Sequence, residues 1–185
     1  MGALRIVPIL LLVAAAAPVH HYTLDAGRSA ISARVAFFGL ASKTARFPKA
    51  RGELTLDPAA PDRIDLDVVL DATALVAPDR LTRDRLKGRA FFDVEHYPTI
   101  RFRGTSIRMT SALEGEVRGQ ITARGVTRPA TLAVRFDAPP AQASETPLTL
   151  TGSTTIDRRE FGMTAYPLIV GRKVTITLRT VMIPA

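Results

Sequence analysis

The sequence predicts an all-β protein, an eight-stranded antiparallel β-barrel with a short helical segment near its mouth, and three observations carry that expectation. Apolar residues recur with a period of two in about eight separate stretches, the mark of half-buried strands. The breaks between them are short and rich in Gly, Pro and Asp, as hairpin connections are. One helix-permitting segment, ending at the Phe91-Phe92 pair, is too little to cover the apolar faces of an open sheet, so closing the sheet on itself buries those faces and removes the edges.

The chain has 185 residues, 46% of them hydrophobic, which is enough for one core. Residues 1–17 read as a secretory signal: Arg5 near the start, an apolar stretch from Ile6 to Val13, then Ala14 to Ala17 ahead of a cleavage point. A membrane anchor is the competing reading, but the stretch is short for a span and broken by Pro8. Residues 18–185 are therefore expected to form a single barrel domain in the periplasm or outside the cell.

The strands follow in order. Ile31, Ala33, Val35 and Phe37 alternate with Ser32, Arg34 and Ala36 before Gly39 ends the run. Gly52, Leu54 and Leu56 form the next row, then Ile64, Leu66, Val68 and Leu70, whose partners Asp65, Asp67 and Asp71 belong on the wet face. Pro98 cannot extend a helix and pushes Tyr97 toward extended geometry, so a strand should begin just after it, with Ile100 and Phe102 inward and Arg101 and Arg103 outward. Later rows are Val117 to Ala123, Leu132 to Phe136, Leu148 to Ile156 and Val174 to Leu178. Gly52, Gly104, Gly119 and Gly152 fall in or beside the inward rows, where they mean either tight barrel corners or room for a ligand.

Little supports catalysis. There is no cysteine, no GxSxG, no Gly-rich phosphate loop and no HExxH. His20 and His21 read as a loose terminal pair, and His96 with Asp93 and Glu95 reads as a solvated helix end. Asp65, Asp67 and Asp71 share one face rather than opposing each other across a cleft, which argues against a glycosidase dyad. An enzyme would need a polar pair inside the barrel, and only Thr154 interrupts the inward rows. The net charge of +8 raises the question of nucleic acid, but apart from Arg80 to Arg89 the cations are scattered, with no Trp and three Tyr for base stacking. A solvated basic surface, or one steering the protein to anionic lipid, fits better.

Three runs carry a family resemblance: FFDVEHYPTIRFRG (residues 91–104), GVTRPATLAVRF (125–136) and IDRREFGM (156–163). Together they resemble the YceI-like family of lipocalin-like, polyisoprenoid-binding periplasmic proteins, over about Tyr22 to Met182. The resemblance implies a lipocalin-like barrel, a helical segment near Arg83 to Phe92 by its mouth, and a long apolar cavity for a polyprenyl chain or quinone tail, in a family often tied to stress responses. It implies no catalytic residue, no metal and no cofactor beyond a bound isoprenoid lipid or quinone. Arg85 stands where the family usually has His, and its planar fork would suit a pyrophosphate head group better than a neutral quinone.

The expected site follows from these readings. Val35, Phe37, Leu54, Leu66, Val68, Ile100, Phe102, Phe136 and Ile176 line the cavity, Phe91, Phe92, Phe161 and Met163 shape its entrance, and Arg85 meets the head group. The expected partners are an isoprenoid lipid, transient contact with a membrane surface, and a homodimer for which exposed Phe38 and Phe47 are the candidate contacts. The rival reading is a packed barrel with no internal ligand that acts as an adaptor at a membrane through Arg80 to Arg89.

Overall fold

The computed structural model describes residues 18–142 and 145–185; the candidate signal segment, residues 1–17, lies outside them. Nine strands run in chain order: β1 (His20–Phe37), β2 (Ala41–Arg46), β3 (Ala50–Leu56), β4 (Arg63–Asp71), β5 (Thr99–Met109), β6 (Glu114–Ala123), β7 (Val126–Phe136), β8 (Leu148–Asp157) and β9 (Val170–Pro184). Neighbours pair antiparallel, and β1 also pairs with β9, which closes the sheet. Both β2 and β3 lie along the same edge of β1, pairing with its second and first halves. They are two pieces of one interrupted strand, so the closed barrel has eight staves as the sequence predicts.

Two strands differ from their expected extents. β1 begins at His20, well before Ile31, because its irregular stretch from Asp25 to Ala30 is a bulge rather than an end. Asp25 Oδ1 accepts from the amides of Gly27 (3.0 Å) and Arg28 (3.2 Å), and Ser29 Oγ donates to the Asp25 carbonyl at 2.6 Å. His20 and His21 are accordingly strand residues, paired with Leu56 and Thr55, and not a loose end. β2, with sequence ASKTAR, carries no apolar alternation to announce it. The residue after it, Phe47, is buried against Ile31, Leu70 and Leu75, so it is a core residue and not a surface contact.

The glycine alternatives resolve to close approach. Gly104 and Gly119 face each other across β5 and β6 beside a register shift. A Cβ on Gly104 would come within 2.5 Å of Val117 Cγ1, and one on Gly119 would run into the Arg103 carbonyl. These positions draw the strands together rather than leaving space.

The two ends of the barrel differ. At the end carrying the chain terminus, Tyr22, Leu54, Val117, Phe136 and Met182 interlock with almost no exposure. The other end is the mouth, where the turn at residues 38–40, the long segment from 72 to 98, the two-residue turn Arg124-Gly125 and the segment from 158 to 169 meet. The helix there, α1 (Arg80–Lys87), is shorter and earlier than the expected Arg83 to Phe92. Gly88 stops it, accepting from Phe91 and Asp93 at 3.0 Å, so Phe91 and Phe92 lie on a compact turn after the helix. β5 starts at Thr99, immediately after Pro98.

Candidate functional site

The mouth holds a cavity of 390 Å³, within the range of small-molecule sites. Its wall is built from β1 (Ala33, Val35, Phe37), α1 (Leu81, Arg85, Leu86), the following turn (Phe91, Phe92), and the segment leading into β9 (Met163, Tyr166, Ile169, Val170). A second void of 70 Å³ lies deeper in the barrel, between Leu66, Val68, Ile100, Phe102, Ile176 and Leu178, with Thr154, Thr180 and Arg101 as the polar residues of its lining. The two share no lining residue. Phe92 and Ile100 each pack against both apolar clusters of the upper barrel, and Phe92 meets Phe47 edge-on at 6.0 Å. Phe92 lines the mouth cavity and Ile100 the inner void, and their shared packing makes this pair the candidate floor between the two.

The expected site residues thus fall into three places. Val35, Phe37, Arg85, Phe91, Phe92 and Met163 surround the mouth cavity. Leu66, Val68, Ile100, Phe102 and Ile176 surround the inner void. Leu54, Phe136 and Phe161 line neither. Leu54 and Phe136 are spent filling the closed end, and Phe161 turns inward against Ile121, Ala123 and Met163, where β7 and β8 diverge beyond their short pairing from Ala133 to Phe136. Of the carboxylates expected on the wet face, Asp65 is exposed, Asp67 binds Arg101 with both oxygens, and Asp71 caps the turn after β4 by accepting from Thr73 N at 2.9 Å.

One wall of the mouth is a column of stacked groups. The Arg85 guanidinium lies 5.7 Å from the Tyr166 ring, Tyr166 stacks on Phe91 at 6.1 Å and 13°, and the Arg158 guanidinium lies 5.9 Å from the other ring partner, Phe91. Arg85 is exposed at the rim, and Arg158 is 2% exposed at the base. Arg158 donates Nε–H to the Gly171 carbonyl and Nη2–H to that of Val170, both at 2.8 Å, and Nη1–H to that of Met163. Among the described residues all three of its hydrogen bonds go to carbonyls and none to a carboxylate, and burial, with the neighbouring Arg159 charge, pushes its guanidinium down from the ordinary arginine range against the opposing pull of Asp157. Arg124 performs a similar service outside, donating to the carbonyls of Arg89 (2.8 Å) and Gly162, which ties three mouth segments together.

Across the opening, Asp79 caps α1 by accepting from Thr82 N at 2.8 Å and also takes Lys43 Nζ at 3.1 Å. The Thr82 amide and hydroxyl, then Lys43, hold the Asp79 carboxyl down at about 2. Lys43 lies 5.5 Å from the Phe37 ring. With Asp79 committed to Lys43 and the helix cap, Arg85 and Arg158 leave the cavity with an excess of positive charge. Among the described residues no group of three His, Asp or Glu side chains could hold a metal ion.

Sequence reasoning missed Arg158, Tyr166, Lys43 and Asp79. Arg158 lies inside the run at 156–163, but a buried arginine held by carbonyls leaves no periodic trace. Tyr166 adopts φ 51°, and Phe38, Asp93 and Arg124 are the other non-glycine residues with positive φ among those described. All four are in mouth segments, where backbone strain is concentrated.

Comparison with known proteins agrees with the barrel fold. A family model described as the YceI-like domain matches residues 22–182. A UPF0312 protein of Ectopseudomonas mendocina is 26% identical over 107 residues, covering 57% of this chain and 56% of its own. One from Pseudomonas putida is 32% identical over 87 residues, covering 46% and 45%. The chain thus spans about half the length of these curated relatives. Among solved structures, Burkholderia cenocepacia BcnA superposes with a TM-score of 0.76 at 22% identity, over 85% of this chain and 98% of that one. A polyisoprenoid-binding domain from Saccharophagus degradans, implicated in plant cell wall breakdown, gives 0.64 at 14% identity, over 89% and 98%. At these identities the likeness to the solved structures speaks to the fold alone.

Proposed function

We propose that this chain, which belongs to the YceI-like domain family, binds an amphiphilic isoprenoid lipid without catalysing a reaction on it, with the tail in the mouth cavity and the head group near Arg85. The observation that carries the reading is a 390 Å³ apolar hollow at one end of a barrel whose other end is filled. A polyisoprenoid-binding neighbour of the same fold supports the choice of ligand class. The excess positive charge at the cavity favours a phosphate-bearing head group over a quinone. A tail hiding about 200 Å² of apolar surface would gain roughly 5 kcal/mol gross, partly offset by ordering a flexible chain. The signal-like residues 1–17 support an exported carrier working in the periplasm or outside the cell. The hollow mouth favours this reading over an adaptor with a packed interior.

Native mass spectrometry of protein purified from an isoprenoid-rich host should reveal a co-purifying lipid, and prenyl phosphates should raise the melting temperature in a concentration-dependent way. Val35→Phe, which fills the mouth cavity, should abolish that rise while leaving the unliganded protein folded. If no lipid co-purifies and prenyl tails of every length fail to bind, the reading is wrong.

A further inference from the structure

Leu40 and Leu168 are almost wholly exposed, at 102% and 96% of their reference areas, and Phe38 and Leu81 stand near 60%. Single exposed leucines are ordinary; a group drawn from three separate segments at one end of a barrel is not. Phe38 and Leu40 belong to the β1–β2 turn, Leu168 to the turn before β9, and Leu81 to the first turn of α1. The first two turns are fastened together, since the Phe38 amide donates to the Ile169 carbonyl at 2.8 Å. Phe38, Leu81 and Ile169 all line the mouth cavity, so the apolar rim is continuous with the hollow. Beside it lies α1, whose segment from Asp79 to Arg89 carries five cations, Arg80, Arg83, Arg85, Lys87 and Arg89, against Asp79 and Asp84.

We propose that the mouth docks on an anionic lipid bilayer, with Leu40 and Leu168 inserted between head groups and the cations of α1 resting on their phosphates. The shape favours a bilayer over a protein partner: the leucines stand on the tips of separate turns, as points that a fluid head-group layer can admit, rather than across a flat face. The charge favours an anionic surface, because an apolar centre flanked by cations matches acyl chains beneath phosphates. With the rim seated there, the cavity opens directly onto lipid, and a tail passes between bilayer and barrel without crossing water. Docking itself rests on the exposed rim and not on cavity occupancy, so it is tested without added ligand.

The chain contains no Trp, so Leu168→Trp provides a single reporter at one tip. Its emission should shift to the blue with vesicles of phosphatidylglycerol and phosphatidylcholine, far less with phosphatidylcholine alone, and the shift should fade as salt rises past about 0.1 M. In sedimentation with the anionic vesicles, the full chain carrying Leu40→Asp and Leu168→Asp should bind at least tenfold more weakly at an unchanged melting temperature. Residues 1–17 are present in every variant and would add the same background of vesicle binding to each, a background that the Leu168→Trp emission, reporting from the rim alone, does not carry. An unshifted emission, or undiminished binding by the double variant, overturns the proposal. So does light scattering that finds a dimer which the two Asp substitutions convert to a monomer, since the rim would then be a self-interface. Failure here would leave the cavity reading intact, and that reading fails only if prenyl tails do not bind.

Discussion

If Phe92 is the floor between the two voids, removing its ring should change which tails the protein accepts. Phe92→Ala opens the 390 Å³ mouth cavity toward the 70 Å³ void beneath it. An isoprene unit is worth about four buried methylene equivalents, roughly 3 kcal/mol gross at about 0.8 kcal/mol each. With about half of that lost to ordering the tail, each newly admitted unit should tighten binding by on the order of tenfold. The assay is calorimetric titration with geranyl, farnesyl and geranylgeranyl phosphates. The native protein should gain affinity with tail length and then level off when its cavity is full, whereas Phe92→Ala should level off one or two units later. Truncating a partly buried Phe should cost about 2 to 3 kcal/mol of stability, below the usual range for a fully buried ring, so urea unfolding must first show the variant folded. Phe92→Leu, which keeps most of the floor, should behave nearly as the native protein. A folded Phe92→Ala variant with an unmoved plateau would refute the partition.

Three further outcomes follow from the same geometry. Arg158→Met leaves the carbonyls of Met163, Val170 and Gly171 without their donor; unfolding in urea should show a loss of about 3 kcal/mol or more, and a loss under 1 kcal/mol would mean that water replaces the guanidinium. Phe136→Ala, at the filled end, should cost about 3 to 5 kcal/mol yet leave tail affinity unchanged in the folded protein, and a matching loss of affinity would place it in the site after all. Asp67, Asp71, Asp79 and Asp157 are all held below the ordinary 3.8, led respectively by Arg101, the Thr73 hydroxyl, the Thr82 amide and the Arg159 amide. The unfolded chain therefore takes up protons first, so their stabilisation is complete above about pH 5 and is lost as the pH falls from about 4 toward 2; a melting temperature that is flat down to pH 2.5 would contradict this.

The barrel was legible because burying one face of a strand imposes a period of two, and Ile64 to Leu70 or Val117 to Ala123 display nothing else. Closure was legible from the shortage of helix. What escaped was whatever does not alternate. β2 shows no period since it pairs along β1 at the rim, where one of its edges meets only the Arg46–Val76 bridge and little of it is buried. The Asp25–Ala30 bulge looked like the end of a strand because a bulge breaks register in sequence while the chain continues in space.

Which residues face the barrel axis was legible, but not at what depth. Inward rows announce which residues face the axis, yet an inward Leu that fills a closed end and an inward Val that borders a hollow follow the same rule of alternation. Leu54 and Val35 differ only in how many side chains arrive opposite them, a quantity fixed by the whole ring of staves. The mouth is harder still, since Arg158, Tyr166 and Asp79 owe their places to caps, carbonyls and ring faces brought together from segments as far apart as 79 and 171. Such a rim is built from irregular backbone, and the same irregularity releases Leu40 and Leu168 from the core. A barrel that buried those two leucines would have a mouth sealed by its own turns; leaving them in water has a continuing cost, which the bilayer docking proposed above would remove.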